Sequence, residues 1–296
     1  MKTTNSDKWP AFAKLRRGRR VTGLRQISAR QASDWKNSAS HTPTVVGSIV
    51  NRQSQIVNDR AFTLVELLTV IAIIAILAAL LLPALAVAKV HAQKTQARLQ
   101  IQDIVTAIQN YDSAYSRMPI SPAAQAAAGA SGNFTYGSTY QTPAGPQLIG
   151  TPVNGLVLSN SDIIPILMDI TNYPNTTIPT VNTNAIKNPQ QTVFLNAKLV
   201  GDPTLPGVGP DLVYRDPWKN PYVITIDLND DNLCRDALYM TSAVSTGGLN
   251  GLILQSDGTF TSHGNVMVWS AGPDGKVDPA TPANQGVNKD NVLSWQ

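Results

Sequence analysis

The longest apolar run of the chain limits its fold more than any other feature, because its side chains need a membrane or a bundle of helices around them. Residues 67–88 are 22 consecutive positions without a charge, mostly Leu, Ile, Ala and Val. About 20 such residues suffice to span a bilayer as a helix. Glu66, the only glutamate in the chain, directly precedes the run. A lone carboxylate at the head of a membrane-length segment needs a partner, so we treat it as a functional candidate.

A cleaved secretory signal is the first alternative for this run. Such a signal has an apolar stretch of roughly 7–15 residues near the N-terminus, whereas this run is longer and begins more than sixty residues into the chain. Ala84, Ala86 and Ala88 imitate a signal-peptidase site, which keeps the alternative open. Arginine pairs at residues 16–17 and 19–20 lie far from the run, which argues against a twin-arginine signal.

Charge changes sign at the start of the apolar run. Residues 1–61 carry 12 Lys and Arg against three Asp, a net charge of +9, so the whole-chain value of +4 leaves −5 for residues 62–296. A basic flank before a membrane span places the N-terminus in the cytoplasm and the acidic body on the other side. Nucleic-acid binding by the leader is a rival explanation, but its arginines lack interleaved aromatic residues and a recognisable binding fold.

An amphipathic helix is predicted to continue beyond the apolar run. Ile101, Ile104, Val105, Ile108, Tyr111 and Tyr115 follow the i, i+3, i+4, i+7 spacing of one apolar stripe. Pro119 ends the helix, because proline disfavours the helical conformation of the residue before it. We therefore expect one helix over about residues 62–115, whose second half packs against a small domain.

The rest of the chain predicts an irregular segment followed by a small sheet. Residues 119–210 are rich in Ala, Gly, Thr, Asn, Pro and Ser and have weak periodicity; residues 163–170 are the best helical candidate and 192–199 a second short element. Strand-like runs follow at residues 222–227, 237–240, 251–255 and 266–270, with a hairpin turn at Asp257-Gly258. The expected fold class is α+β, a long N-terminal helix packed on a small antiparallel β-sheet.

The border of the apolar run carries a family resemblance. Residues 61–68 read AFTLVELL, which resembles the class III signal of type IV pilins and of the pseudopilins of type II secretion systems. The resemblance implies that a prepilin peptidase cuts between Ala61 and Phe62, that the new amine of Phe62 is N-methylated, and that Glu66 acts in assembly. Two features depart from the family pattern: Ala61 stands where the family has Gly, and the leader is longer than usual.

Assembly gives Glu66 a physical role. In a filament of bundled helices, its buried carboxylate can pair with the positive N-terminal amine of Phe62 in an adjacent subunit, which offsets the desolvation of both charges. The alternative is that Glu66 only reaches the headgroup layer from the end of a plain anchor helix.

Two C-terminal segments resemble the major pseudopilin of type II secretion. Residues 216–222 read DPWKNPY, with Lys219 in place of the family's glycine, and residues 269–278 with 290–295 resemble its C-terminal loop. In that family the loop binds calcium. By this resemblance Asp274, Asp278 and Asp290 are the calcium ligands, and calcium prefers such hard oxygen donors. The alternative is that these aspartates only cap turns.

The sequence offers no enzyme signature. Cys234 is the only cysteine, so no intrachain disulfide can form, and the three histidines have no triad or metal-site spacing. The absence of a disulfide favours a pseudopilin over those type IV pilins that fasten their C-terminal region with such a bond. We therefore expect a protein that is not an enzyme.

These features predict the organisation and the function together. We expect a cleaved basic leader at residues 1–61, a transmembrane helix at 62–88, an amphipathic stalk at 89–118, an irregular low-complexity insertion at 119–210 and a β-sheet domain with a calcium-type loop at 211–296. The expected function is a major-pseudopilin-like subunit of a periplasmic filament for type II secretion, anchored in the inner membrane by a single pass. A type IV pilin for adhesion, motility or DNA uptake, or a membrane-anchored periplasmic enzyme or binding protein, are the alternatives. The expected partners are further copies of itself, the prepilin peptidase, the inner-membrane platform, minor pseudopilins and the membrane, but no nucleic acid.

Overall fold

A single long helix precedes a domain of short helices and small sheets. The computed structural model describes residues 62–129 and 132–296. The helix, α1 (Leu64–Tyr115), has 52 residues, a length of roughly 80 Å at 1.5 Å per residue. It ends where Ser116 adopts a left-handed conformation and donates its N–H to the carbonyl of Asp112. Within the described residues, α1 is the one helix that is long and apolar enough to cross a membrane.

The remaining elements are short. The other helices are α2 (Pro122–Ala128), α3 (Ile164–Leu167) and α4 (Ser242–Ser245). The strands are β1 (Asn133–Tyr136), β2 (Ser138–Thr142), β3 (Gly145–Ile149), β4 (Pro152–Val153), β5 (Leu156–Val157), β6 (Gly207–Val208), β7 (Tyr214–Arg215), β8 (Val223–Asp227), β9 (Leu233–Cys234), β10 (Ile253–Leu254), β11 (Phe260–His263), β12 (Val266–Ser270) and β13 (Val292–Leu293).

The central sheet has four antiparallel strands in the order β1-β8-β12-β13. Ile224 and Ile226 of β8 join the α1 stripe in one hydrophobic core, whereas Val223 of β8 and Trp269 of β12 join a second core on the opposite face. Alternate residues of a strand point to opposite faces, so both faces of the sheet are covered. This arrangement confirms the predicted α+β class, with the long helix packed on a small antiparallel sheet.

The apolar stripe of the helix is buried as predicted. Ile101, Ile104, Ile108 and Tyr111 are fully buried, and Val105 and Tyr115 are partly buried against the same core. Three polar contacts add to this packing: Gln93 and Gln102 donate to the carbonyls of Pro217 and Ser294, and Tyr222 donates its hydroxyl to Gln100. The second half of α1 is therefore an integral part of the domain.

The segment at residues 119–210 contains more order than its composition indicated. It supplies β1, an edge strand of the central sheet, and α3, whose four residues are buried. Asn188 fastens the segment to α1: its Oδ1 accepts from the Tyr115 hydroxyl at 2.6 Å, and its Nδ2 donates to the carbonyls of Ile166 and Thr192. Buried amides of this kind carry no periodic sequence signal.

The structure confirms some of the predicted strands and contradicts one of them. The runs at 222–227 and 266–270 are strands β8 and β12, and the hairpin around Asp257-Gly258 joins β10 to β11. The strand at residues 237–240 was wrong, because these residues form a turn. The carboxylate of Asp236 accepts from the backbone N–H groups of Leu238 and Tyr239, and such local side-chain bonds compete with strand pairing.

Candidate functional site

Thr63 and Glu66 form a reciprocal cap at the first turn of α1. The backbone N–H and the hydroxyl of Thr63 donate to Glu66 Oε2 at 2.9 and 2.8 Å, and the N–H of Glu66 donates to the Thr63 hydroxyl at 3.1 Å. This capping box satisfies backbone donors that every helix start leaves open. It also holds the only glutamate against the residue that follows Phe62, so the carboxylate lies one residue from the amine that cleavage after Ala61 would create.

The described part of the chain leaves the first half of α1 uncovered. Every residue from Phe62 to Val90 is exposed, including Phe62 at 78% and Leu80 at 72%. Exposed apolar patches larger than a few hundred Å² are rare on soluble monomers. The apolar side chains surround the helix on all sides, so lipid or other helices must cover them.

At the C-terminal loop, the structure brings two of the three predicted carboxylates close together. Asp290 is half-buried and its Oδ1 is buried without a hydrogen-bond partner. Burial raises the pKa of Asp290, and the negative charge of Asp274 raises it further. Gly272 has φ +69°, and a Cβ there would lie 2.4 Å from the Asp290 carbonyl oxygen, so this close approach of the loop requires glycine.

The third carboxylate has other partners. Asp278 accepts from the backbone N–H of Ala280 at 3.0 Å and from the hydroxyl of Thr281, while Asn288 bonds the Asp278 backbone. Across residues 62–129 and 132–296, no group of three or more His, Cys, Asp or Glu side chains is arranged to hold a metal ion. Two neighbouring carboxylates, those of Asp274 and Asp290, are therefore the most that the described residues offer a cation at this loop.

Asp216 connects the residue 216–222 turn to this loop. Its carboxylate accepts from the N–H groups of Trp218 and Asn220 and from the Ser270 hydroxyl. Asn220 in turn donates to the carbonyl of Gly272 at 2.8 Å. Burial raises the pKa of Asp216 to about 6. Sequence reasoning treated this aspartate only as part of a motif; its position before a proline in a turn gave no sign that it is buried.

The remaining candidate groups lie apart. Cys234 is buried, and burial raises the pKa of its thiol, whereas His91 lies exposed on α1 and His263 is exposed at the end of β11. Ala61 and the leader lie outside the described residues, so the processing position is described only from Phe62 onward.

Comparison with known proteins identifies the N-terminal region. Residues 57–82 match the family described as "Prokaryotic N-terminal methylation motif". The chain therefore carries a type IV pilin- or pseudopilin-like signal, and the motif implies processing by a prepilin peptidase and assembly into a filament. Together with α1, it indicates a single-pass membrane anchor. No curated protein sequence matches the chain, and no solved structure matches it.

Proposed function

We propose that the chain is a structural subunit of a periplasmic pseudopilus, similar to a major pseudopilin, that serves type II protein secretion. The observation that carries the proposal is the first half of α1: an uncovered apolar cylinder with a single carboxylate at its head. Identical helices packed side by side would cover this surface. A catalytic role is not part of the proposal, since pilin-type proteins with this motif are structural.

In this proposal, Glu66 changes its bonding partner when the processed chain enters the filament. The peptidase removes the leader between Ala61 and Phe62 and methylates the new amine, which keeps its positive charge. Among residues 62–129 and 132–296, the Glu66 carboxylate is bonded only by its own Thr63. In the filament its carboxylate accepts from the Phe62 amine of a neighbour, and this pairing fixes the stagger between subunits. The inner-membrane platform and minor pseudopilins would complete the assembly.

We favour a pseudopilus over a disulfide-fastened pilus because the C-terminal loop resembles that of the major pseudopilin. The chain has one cysteine, so no intrachain disulfide can hold the loop, and hydrogen bonds from Asn220 and with Asn288 hold it in the single chain. Calcium would add to this fastening, with carboxylate oxygens from Asp274 and Asp290 and carbonyl oxygens of the loop as ligands; Asp278 would keep the loop shaped through Thr281. The unpartnered Oδ1 of Asp290, next to Asp274, favours this assignment.

Mass spectrometry of the mature chain tests the processing and Glu66→Gln tests the assembly. With a co-expressed prepilin peptidase, the mature chain should begin at methylated Phe62. Removing one member of a buried ion pair costs about 3–5 kcal/mol, so filament yield should fall about 100-fold or more while cleavage continues. Glu66→Asp serves as the control that keeps the charge. An intact leader, or filaments of Glu66→Gln at wild-type yield, would refute the proposal.

Two further measurements separate the finer assignments. Immunogold labelling of intact cells should find no label before the outer membrane is opened; label on whole cells would favour a surface pilus. For calcium, the unfolding temperature should rise when the ion is added, because a ligand present at 100 times its Kd stabilises by about 2.7 kcal/mol. Asp290→Asn should abolish the rise and Asp169→Asn should leave it unchanged.

A further inference from the structure

Two charges of opposite sign on the second half of α1 have no partner in their own chain. Arg98 and Asp103 are both exposed, and neither side chain forms a hydrogen bond or an ion pair with another described residue. They are five positions apart, so at 3.6 residues per turn their side chains point about 140° away from each other. The two charges therefore lie on different flanks of the helix, which we call the Arg98 flank and the Asp103 flank.

The contacts of the helix with the domain show the same division. Arg98 lines an open cleft of about 430 Å³ between α1 and β13, together with Val292 and Leu293. Asp103 instead lies near Tyr214: burial raises the pKa of this tyrosine, and the negative charge of Asp103 raises it further. Each flank thus meets a different part of the domain, and the space beside Arg98 leaves its guanidinium within reach of another molecule.

The spacing of these charges matches the stagger that the N-terminus of the helix requires. In the proposed filament, Glu66 of one copy lies level with Phe62 of its neighbour, which shifts the two copies by four residues, about 6 Å at 1.5 Å per residue. If Asp103 of the first copy lies level with Arg98 of that neighbour, the shift is five residues in the same direction, about 7.5 Å. An arginine side chain easily spans the difference of about 1.5 Å.

The other charges on this half of α1 do not fit this stagger. They are Lys89, Lys94 and Asp112. Every other pairing of a Lys or Arg with an Asp on this half needs a shift of nine residues or more, which is at least about 13.5 Å and more than twice the shift set by Glu66. Arg98 and Asp103 are thus the one pair of opposite charges on this half that a single stagger brings together along with Glu66 and Phe62.

We propose that Arg98 of one subunit pairs with Asp103 of the next, so that the Arg98 flank of each helix packs against the Asp103 flank of its neighbour. The inference rests on the proposed filament and names a second ion pair between its subunits. Leu99, which is 62% exposed, lies one turn before Asp103 on the same flank and is covered by the same contact.

This contact suits an extended polymer. The two flanks are different surfaces, so the contact is head-to-tail, and a head-to-tail contact that does not close into a ring produces an open helical polymer. Complementary charges across an interface fix its register and exclude wrong alignments more than they add affinity. The pair would therefore hold the stagger of the domains, as Glu66 holds that of the membrane halves.

Reversal of each charge tests the contact in cells that make the full chain with the prepilin peptidase. Arg98→Asp and Asp103→Arg each place like charges at every contact. Electron microscopy of opened cells should show about tenfold fewer filaments for either chain, which corresponds to about 1.4 kcal/mol. Lys89→Asp and Asp112→Arg make the same changes in net charge on the same helix and should leave the number of filaments unchanged.

Co-expression of the Arg98→Asp and Asp103→Arg chains shows whether the pair joins different subunits. Where the two chains alternate in a filament, every contact again joins opposite charges, so filaments should return to near the wild-type number. Within either chain the two positions carry like charges, so co-expression cannot restore a pair inside one subunit. Rescue would also show that both variant chains fold.

The same cells separate the two levels of failure. Filaments at the wild-type number from either single variant would overturn this contact and leave the proposed function standing. Loss in both single variants without rescue on co-expression would also overturn the contact. If the processed wild-type chain forms no filaments, the contact and the proposed function both fail.

Discussion

Lys219 adopts a backbone conformation that favours glycine. It has φ +82° in the residue 216–222 turn and an exposed side chain. The resemblance to the pseudopilin motif, which has glycine here, pointed to this position from the sequence. The structure supplies the reason, because a side chain in the left-handed region costs roughly 1–2 kcal/mol.

Lys219→Gly should therefore stabilise the folded chain. The relief of strain exceeds the extra entropy that glycine gives the unfolded chain, so the free energy of unfolding should rise by about 0.5–1 kcal/mol. The measurement is denaturant unfolding of the processed chain in detergent. Lys276→Gly, at an exposed lysine outside the left-handed region, is the control and should lower stability slightly. A loss of stability in Lys219→Gly would contradict the strain argument.

Asp216 should give stability a pH dependence opposite to that of most aspartates. Burial raises its pKa to about 6 in the folded chain, while unfolded aspartates titrate near 3.9. The folded chain thus binds the proton more tightly, so this contribution is full below about pH 4 and is lost as the pH rises through about 6. At 1.36 kcal/mol per unit, the difference is about 3 kcal/mol.

Unfolding of Asp216→Asn across pH 4–7 checks this sign. The wild type should become more stable as the pH falls through this window, and the variant should lose that part of the slope. Asp257→Asn is the control, because hydrogen bonds from Thr259 lower the pKa of this exposed carboxylate and its removal cannot flatten the slope. Equal slopes for wild type and Asp216→Asn would show that Asp216 keeps an ordinary pKa.

At the scale of elements, the connection between α1 and the segment after it depends on Asn188. The side chain of this buried amide bonds Tyr115, Ile166 and both the N–H and the carbonyl of Thr192. The periodic stripe predicted which face of α1 is buried, because hydrophobic spacing follows helical geometry. It could not predict the partner of that face, because an asparagine in a Pro- and Asn-rich segment reads as a loop residue whether it is buried or exposed.

Asn188→Ala should destabilise the domain strongly. It leaves several buried polar groups without partners, and each costs about 1–3 kcal/mol, so the free energy of unfolding should fall by about 3 kcal/mol. Gln190→Ala, whose exposed side chain lies two residues away, should change stability by less than about 0.5 kcal/mol. Thermal unfolding of both variants gives the comparison. Similar values for the two would mean that Asn188 contributes little to the attachment of this segment.

At the scale of the whole molecule, α1 consists of an exposed apolar half and a half that packs in the domain, and the change occurs near residue 90. Its exposed apolar half ends at Val90, and its first buried residue is Ala97. The domain therefore needs the second half of the helix and not the first. This division follows from the sequence, where the unbroken apolar run gives way to a stripe of single apolar positions.

Two truncated chains test this division. Residues 89–296 should be soluble, form no filaments and unfold at the same denaturant concentration as the domain of the full chain. Residues 103–296 lack Ala97 and Ile101, both fully buried, and removal of a buried isoleucine side chain alone costs about 2–5 kcal/mol. Circular dichroism against urea measures the difference. Equal midpoints for the two chains would show that the first turns of the stalk do not stabilise the domain.

The sequence alone determined the apolar helix, the place of Glu66 at its head, the buried stripe of the stalk and the α+β class. These features are set by local spacing and by solvent: a run of apolar residues dictates its surroundings, and a period of 3.6 dictates a face. Only the tertiary structure decided that residues 119–210 supply an edge strand of the central sheet, that residues 237–240 turn around Asp236, and that Asp274 lies near enough to act on Asp290 while Asp278 bonds Thr281. Each of these depends on which distant polar groups find one another once the chain is compact, and no local pattern in the sequence records that choice.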